Sequence, residues 1–222
     1  MSCHHCPKTC PARISSPRRS WRDWFGSRRS RDTGRSTPLP TVALVGSPNV
    51  GKSVLFNALT SRYVTVSNYP GTTVDVSRGQ MQVGQSAIAV LDTPGMYSLL
   101  PITEEERVGR DLLLGTPPDL VVHVVDAKHL GRMLNFTLQL IEAGLPVLLA
   151  VNLIDEAYQL GIEINADRLQ KQLGIPVVLT AAAHNIGIQE LKCKVADYVE
   201  SSRVSPRDRN RDRPDRISVR KR

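Results

Sequence analysis

A chain of 222 residues, 41% hydrophobic but only 5% aromatic, has the length for one domain with tails and must build its core from aliphatic side chains. Its apolar runs are broken within about ten residues by Pro, Asp, Asn or Gly, well short of the roughly 18 to 20 residues that span a bilayer, which excludes a membrane-crossing helix from the prediction. The formal charge of +8 belongs to the ends: residues 1–40 carry nine Lys/Arg against Asp23 and Asp32, residues 201–222 carry nine against three acids, and 41–200 is left at −5.

The leader, residues 1–39, holds three of the four cysteines in "SCHHCPKTC". Cys3, His4, His5, Cys6 and Cys10 are soft ligands with C-x2-C spacing, suited to Zn²⁺ or Fe²⁺. A structural zinc module draws ligands from two separated elements, however, and no second pair follows, so a disordered leader is the expectation. Such clustering is no disulfide framework, and the polar N-terminus has no apolar signal core, which predicts a reducing cytoplasmic setting. The Arg-rich tail, 201–222, is also too poor in Leu, Ile, Val and Phe to offset the entropy of ordering and is expected to be disordered.

Between the tails, 40–200 alternates short apolar runs with helical periodicity. Strands are predicted at 41–46, 74–83, 87–92, 119–125, 146–152 and 175–180. Helices are predicted at 52–60, 104–114, 131–143, 165–173 and 187–199. Gly144 and Gly174 stand where a helix C-cap wants positive φ. The alternation predicts an α/β, doubly wound, mostly parallel six-stranded sheet flanked by about five helices, with ligand chemistry at the C-terminal strand ends.

The first predicted strand runs into Gly46-Ser47-Pro48-Asn49-Val50-Gly51-Lys52-Ser53, which matches G-x-x-x-x-G-K-[ST] between a strand and a helix, with Val54 the next nucleotide-side residue. Glycines let successive N–H groups turn onto phosphate oxygens, and the helix start adds positive potential. Lys52 is suited to the β and γ phosphates and the Ser53 hydroxyl to Mg²⁺. This is a P-loop, and it implies a nucleoside triphosphate without naming the base. The base is indicated by Asn152-Leu153-Ile154-Asp155 at the end of another strand. A carboxylate only accepts hydrogen bonds, and guanine presents adjacent donors at N1 and its 2-amine, whereas adenine offers an acceptor at N1. Between these lie Asp92 and Gly95 of a D-x-x-G, the carboxylate for water-mediated Mg²⁺ binding and the Gly95 N–H for the γ-phosphate. Thr72 and Thr73 stand in a loop, with Thr73 the expected Mg²⁺ ligand. Ala181 and Ala182 fall where a Ser-Ala pair usually backs the base. The hydroxyl is missing, and the Ala182 N–H is left to meet the guanine carbonyl. His184 is expected to face solvent and His123 to lie in the core or at a sheet edge.

Together "GSPNVGKSVLFNALT", "VTVSNYPGTTVDVSRG", "DTPGMYSLLPITEEERVGRDLL", "VVDAKHLGRMLNFTLQLIEAGLPVLLAVNLID" and "IPVVLTAAAHNIGIQEL" resemble the cytosolic G domain of the ferrous iron transport protein B (FeoB) family across 41 to about 200. The resemblance implies a small-GTPase-like domain that binds GTP and GDP and hydrolyses GTP slowly as a switch. In that family it is joined through a helical spacer domain to a membrane component that moves Fe²⁺, neither of which is present in this chain. It also implies an Asn49 that helps hold K⁺ beside the phosphates, catalytic parts for Asn49, Lys52, Thr73 and Gly95, and self-association between G domains. The expected location is the cytoplasm, at the inner face of the membrane. Met96 follows Gly95 where many small GTPases place a water-orienting Gln, a job a thioether cannot do, so slow turnover is expected.

Two readings stay beside this one. A ribosome-assembly GTPase would use the basic tails to grip RNA. No appended RNA-reading module or aromatic platform is visible, however, and no nucleic-acid partner is expected. A guanine-nucleotide sensor without useful hydrolysis would share every binding motif.

Overall fold

The computed structural model describes residues 39–60, 62–84 and 86–204. In chain order the elements are β1 (Thr41–Val45), α1 (Lys52–Leu59), β2 (Arg62–Asn68), β3 (Asp75–Val83), β4 (Ser86–Asp92), α2 (Glu104–Leu114), β5 (Leu120–Asp126), α3 (Leu130–Glu142), β6 (Val147–Asn152), α4 (Ile154–Gln159), α5 (Ala166–Leu173), β7 (Val177–Leu179) and α6 (Ile188–Val204). The Cys/His cluster of the leader and the tail past Val204 lie outside the described residues.

One sheet of seven strands runs β2-β3-β4-β1-β5-β6-β7. The ladders β4-β1, β1-β5, β5-β6 and β6-β7 are parallel, and β2-β3 and β3-β4 are antiparallel. The chain winds away from β1 to one side and then, after α2, to the other, so the loop after β1 opens at the topological switch point.

Parallel strands covered on both faces must be apolar throughout. β5 accordingly buries all seven of its residues, and β1 sends alternate side chains to two cores. Val42 and Leu44 pack with Phe56 and Leu59 of α1 and with Leu191, Val195 and Val199 of α6. Ala43 and Val45 share the opposite layer with Phe136 and Leu140 of α3 and Leu169 of α5. The predicted positive φ appears at Gly144 and Gly174, at 74° and 69°.

Among the described residues the expectation of six strands and about five helices is corrected to seven and six. The extra strand is β2, whose Val64 and Val66 are 53% and 57% exposed. These valines mark no buried face, and the strand is held by its backbone pairing with β3. The extra helix is α4, six residues directly after Asn152-Leu153. α6 continues to Val204, past the predicted end at 199 and into the segment assigned to the tail.

His123 occupies the middle of β5, 1% exposed, with Nδ1 2.9 Å from Thr137 Oγ1 and its ring edge-on to Phe136 at 4.9 Å. Burial pushes its pKa down from 6.5 to about 3. The folded imidazole therefore stays neutral while the unfolded chain takes up a proton as pH falls through 6.5. Stability from this group is complete above that value and is lost as pH drops toward 3, by roughly 3 kcal/mol at about pH 4. Urea unfolding between about pH 7 and pH 4 should show this slope in the wild type and a flatter one in His123→Leu.

Candidate functional site

The P-loop connects β1 to α1 with its backbone held from two directions. Gly46 lies so close to β5 that a Cβ there would run into the Val124 carbonyl oxygen. Gly51 is the N-cap of α1 at φ 80°, and a Cβ there would strike the Asn152 amide. No side chain caps α1, which leaves its first N–H groups for an anion. Ser47 and Val50 are buried while Pro48 and Asn49 are exposed, with Asn49 in the left-handed region at φ 65°. Val54, 47% exposed, stands in the first turn of α1.

Three predicted residues from two motifs meet at the end of β4. Ser53 Oγ donates to Asp92 Oδ2 at 3.0 Å, and Lys52 Nζ lies 3.6 Å from Asp92 Oδ1. Asp92 Oδ1 is buried with no hydrogen bond. A hydroxyl, a carboxylate and an unsatisfied buried acceptor form the hard oxygen set that Mg²⁺ prefers, so the residues present fit that ion.

The D-x-x-G segment is stitched to the same loop. Thr93 Oγ1 donates to Leu44 O at 2.8 Å, the Met96 N–H to Gly46 O at 3.0 Å, and a Cβ on Gly95 would come within 2.8 Å of Pro48 Cγ. The Gly95 N–H makes no hydrogen bond among the described residues, so it remains a donor beside the P-loop. Met96 is fully buried, with its sulfur against Gly109 of α2. The side chain at the position of the usual Gln is thus turned into the core.

Downstream, one carboxylate fixes the following segment. Glu106 accepts from the N–H groups of Ile102 at 2.8 Å, Thr103 at 3.3 Å and Tyr97 at 3.4 Å, while Thr103 Oγ1 caps α2 by accepting from the Glu106 N–H. The Ile102 contact leads the bonds that hold the Glu106 carboxyl below its ordinary pKa, against the opposing effect of burial. Across the turn between β2 and β3, Thr72 Oγ1 is spent on Tyr69 O at 2.9 Å, whereas Thr73 is exposed and makes no hydrogen bond among the described residues. No contact joins Thr73 to Ser53 or Asp92 in this arrangement.

The base side is organised by Asn152, 1% exposed at the end of β6. Its Nδ2 donates to Val50 O at 2.9 Å, and its Oδ1 accepts from Thr180 Oγ1 at 3.0 Å and from the Ala182 N–H at 3.1 Å. Asn152 therefore ties the P-loop to the turn after β7. In this arrangement the Ala182 N–H is engaged by Asn152, so it would meet a guanine carbonyl only on leaving that bond. Ala181 and Ala182 are buried at 1% and 4%.

Leu153 makes the turn in left-handed conformation at φ 62°, and α4 presents Asp155 in its first turn. The adjacent Glu156 pairs with Lys128, whose ammonium also lies 3.8 Å from Asp126, anchoring α4 to the end of β5. Glu156, before Asp126, holds the Lys128 pKa above its ordinary value. Asp155 Oδ1 is buried with no hydrogen-bond partner, and Oδ2 lies 3.2 Å from His184 Nε2. The expectation that His184 merely faces solvent is corrected: the ring is 63% exposed, but its polar end meets the carboxylate. The pairing escapes sequence reasoning because it joins α4 to a turn nearly thirty residues away, with no local pattern to mark it.

Among the described residues no helix is long and apolar enough to cross a membrane. Residues 40–195 match the family described as ferrous iron transport protein B. The chain is 40% identical over 153 residues to the Fe(2+) transporter FeoB of Legionella pneumophila (strain Paris), covering 67% of this chain and 20% of that protein. The G domain of the T. maritima FeoB iron transporter superposes with TM-score 0.68 at 41% identity, covering 72% of this chain and 99% of that one. The cytosolic domain of the same transporter in a GDP form gives TM-score 0.71 at 41% identity, covering 74% of this chain and 65% of that one. The chain spans about a fifth of the length of the curated relatives it matches. With the P-loop, D-x-x-G and N-x-x-D residues gathered at one end of the sheet and the match running through all the described strands, the chain belongs to the ferrous iron transport protein B family.

Proposed function

We propose that the domain binds GTP and GDP with Mg²⁺ and hydrolyses GTP slowly, with K⁺ stimulation, as the switch of a ferrous-iron transporter. The observation that carries this reading is the meeting of Lys52, Ser53 and Asp92 beneath an uncapped helix start, with one Asp92 oxygen left unsatisfied. The related cytosolic domain's GDP form agrees with it.

The glycine-shaped loop from Gly46 to Ser53 would cradle the phosphates through its N–H groups. Lys52, here resting against Asp92, would turn its ammonium to the β and γ oxygens. Ser53, Asp92 through water and Thr73 would hold Mg²⁺, whose charge offsets that building on the phosphates. Thr73 would reach the ion only after the turn between β2 and β3 closes, and the free Gly95 N–H would report the γ-phosphate. With Met96 buried, no side chain at that position orients the attacking water, which favours a low rate. Asn49, exposed in the loop, would hold K⁺ beside the phosphates and supply positive charge to the transition state.

The switch would be read by a helical spacer and a membrane iron-transport component at the cytoplasmic face, or by a second G domain. Binding of GTP and ATP in parallel, followed by single-turnover hydrolysis, tests the main reading: GTP preference and slow conversion to GDP are expected. Comparable ATP uptake would overturn it, and binding without any turnover would favour a sensor. For the cation, turnover in KCl should exceed that in NaCl by tenfold or so, with the difference absent in Asn49→Ala. Equal rates for the wild type in the two salts would remove K⁺ from the mechanism.

A further inference from the structure

The base end of the site is closed on its own side chains. Guanine needs both oxygens of Asp155, one for N1–H and one for the 2-amine. Oδ1 is buried and unpartnered, and Oδ2 is met by His184 Nε2 at 3.2 Å. Two acceptors at that distance would repel, so the proton belongs on Nε2 and the imidazole acts as a donor stand-in. The second base-facing donor is withheld as well, since the Ala182 N–H is spent on Asn152 Oδ1 at 3.1 Å.

We propose that His184 is a self-competing gate of the base site, occupying one oxygen of Asp155 until guanine displaces it and so holding nucleotide affinity down. The proposal rests on the guanine reading of Asp155 given above.

The surrounding turn makes the gate a matter of one side chain. Its backbone is closed by the Ala181 N–H to Ile186 O at 3.1 Å and by the return bond from the Ile186 N–H at 3.2 Å. The His184 N–H donates to Ala181 O at 3.0 Å, and the Asn185 N–H to Ala182 O at 3.2 Å. The ring itself is 63% exposed and free to rotate away, while Asp155, 24% exposed on α4, stays in place. Opening therefore costs one polar contact and no unfolding of the turn. The gate also discriminates by donors: inosine keeps the N1–H and must displace His184 as guanine does, whereas adenine has an acceptor at N1 and cannot take its place on the carboxylate.

The test compares GDP, inosine diphosphate and ADP on the full chain, as wild type, His184→Ala and His184→Gln. His184→Ala should tighten GDP and inosine diphosphate about two- to tenfold, the worth of one released polar contact, and leave ADP within about twofold. His184→Gln, which restores a donor, should lie nearer the wild type. Unchanged or weaker GDP binding in His184→Ala, or an equal gain for ADP, would overturn the gate while leaving wild-type preference for GDP over ADP intact. If the wild type shows no such preference, the guanine reading fails and the gate fails with it.

Discussion

Replacing Asp155 with asparagine should weaken GDP binding by about a hundredfold and open the site to xanthosine diphosphate. The carboxylate offers acceptors on both oxygens, matching the two neighbouring donors of guanine. An amide offers one acceptor and one donor, so the 2-amine of guanine would face an NH₂ group and the second bond would become a clash of donors. A hydrogen bond to a charged acceptor contributes about 1.5–3 kcal/mol, roughly ten- to a hundredfold in affinity, before the added repulsion. Xanthine carries a carbonyl in place of the 2-amine and restores the match. Competition binding with GDP and xanthosine diphosphate checks this. An Asp155→Asn protein that keeps its GDP preference would remove Asp155 as the base reader.

The second large effect is expected at Asn152, and it should be blind to the base. Truncation to alanine strands the Val50 carbonyl, the Thr180 hydroxyl and the Ala182 N–H in the interior, where Asn152 is 1% exposed. Stranded buried polar groups cost about 1–3 kcal/mol each, and relaxation should bring the total to roughly 3 kcal/mol. Because Val50 belongs to the P-loop and Ala182 to the turn after β7, affinity should fall alike for guanine, inosine and xanthine nucleotides. Asn152→Asp should also destabilise, since a carboxylate oxygen would replace the donor facing the Val50 carbonyl. Urea midpoints together with nucleotide titrations check both variants. Wild-type stability in Asn152→Ala would show that the three bonds are dispensable.

What could be read from the sequence was whatever is local. Gly46 to Ser53 lies within one strand-loop-helix unit, so the loop and its flanking elements are legible from their own residues. Asn152 and Asp155 were legible as a pattern, but the role of Asn152 as a tie between two loops was not, because its partners Val50, Thr180 and Ala182 meet only when β1, β6 and β7 share a sheet. The same holds for His184 against Asp155 and for Met96 beneath α2. β2 is hard to read because Val64 and Val66 bury no face, although their alternation with Thr65 and Ser67 is a strand signal. α4 had cues too: acids in its first turn and Gly161 after its end at φ 72°.

Helix α2 carries a notch where Gly109 stands, and a Cβ there would fall 2.9 Å from the Met96 sulfur. The same Met96 is bolted through its backbone to Gly46, the first residue of the P-loop. Phosphate cradle, thioether and helix are therefore coupled in series. A shift at Gly46 pulls on the backbone of Met96, and the seat of the thioether against the helix sets how much of it travels further. The linkage is a compliant one, made of a flexible unbranched chain seated against bare backbone.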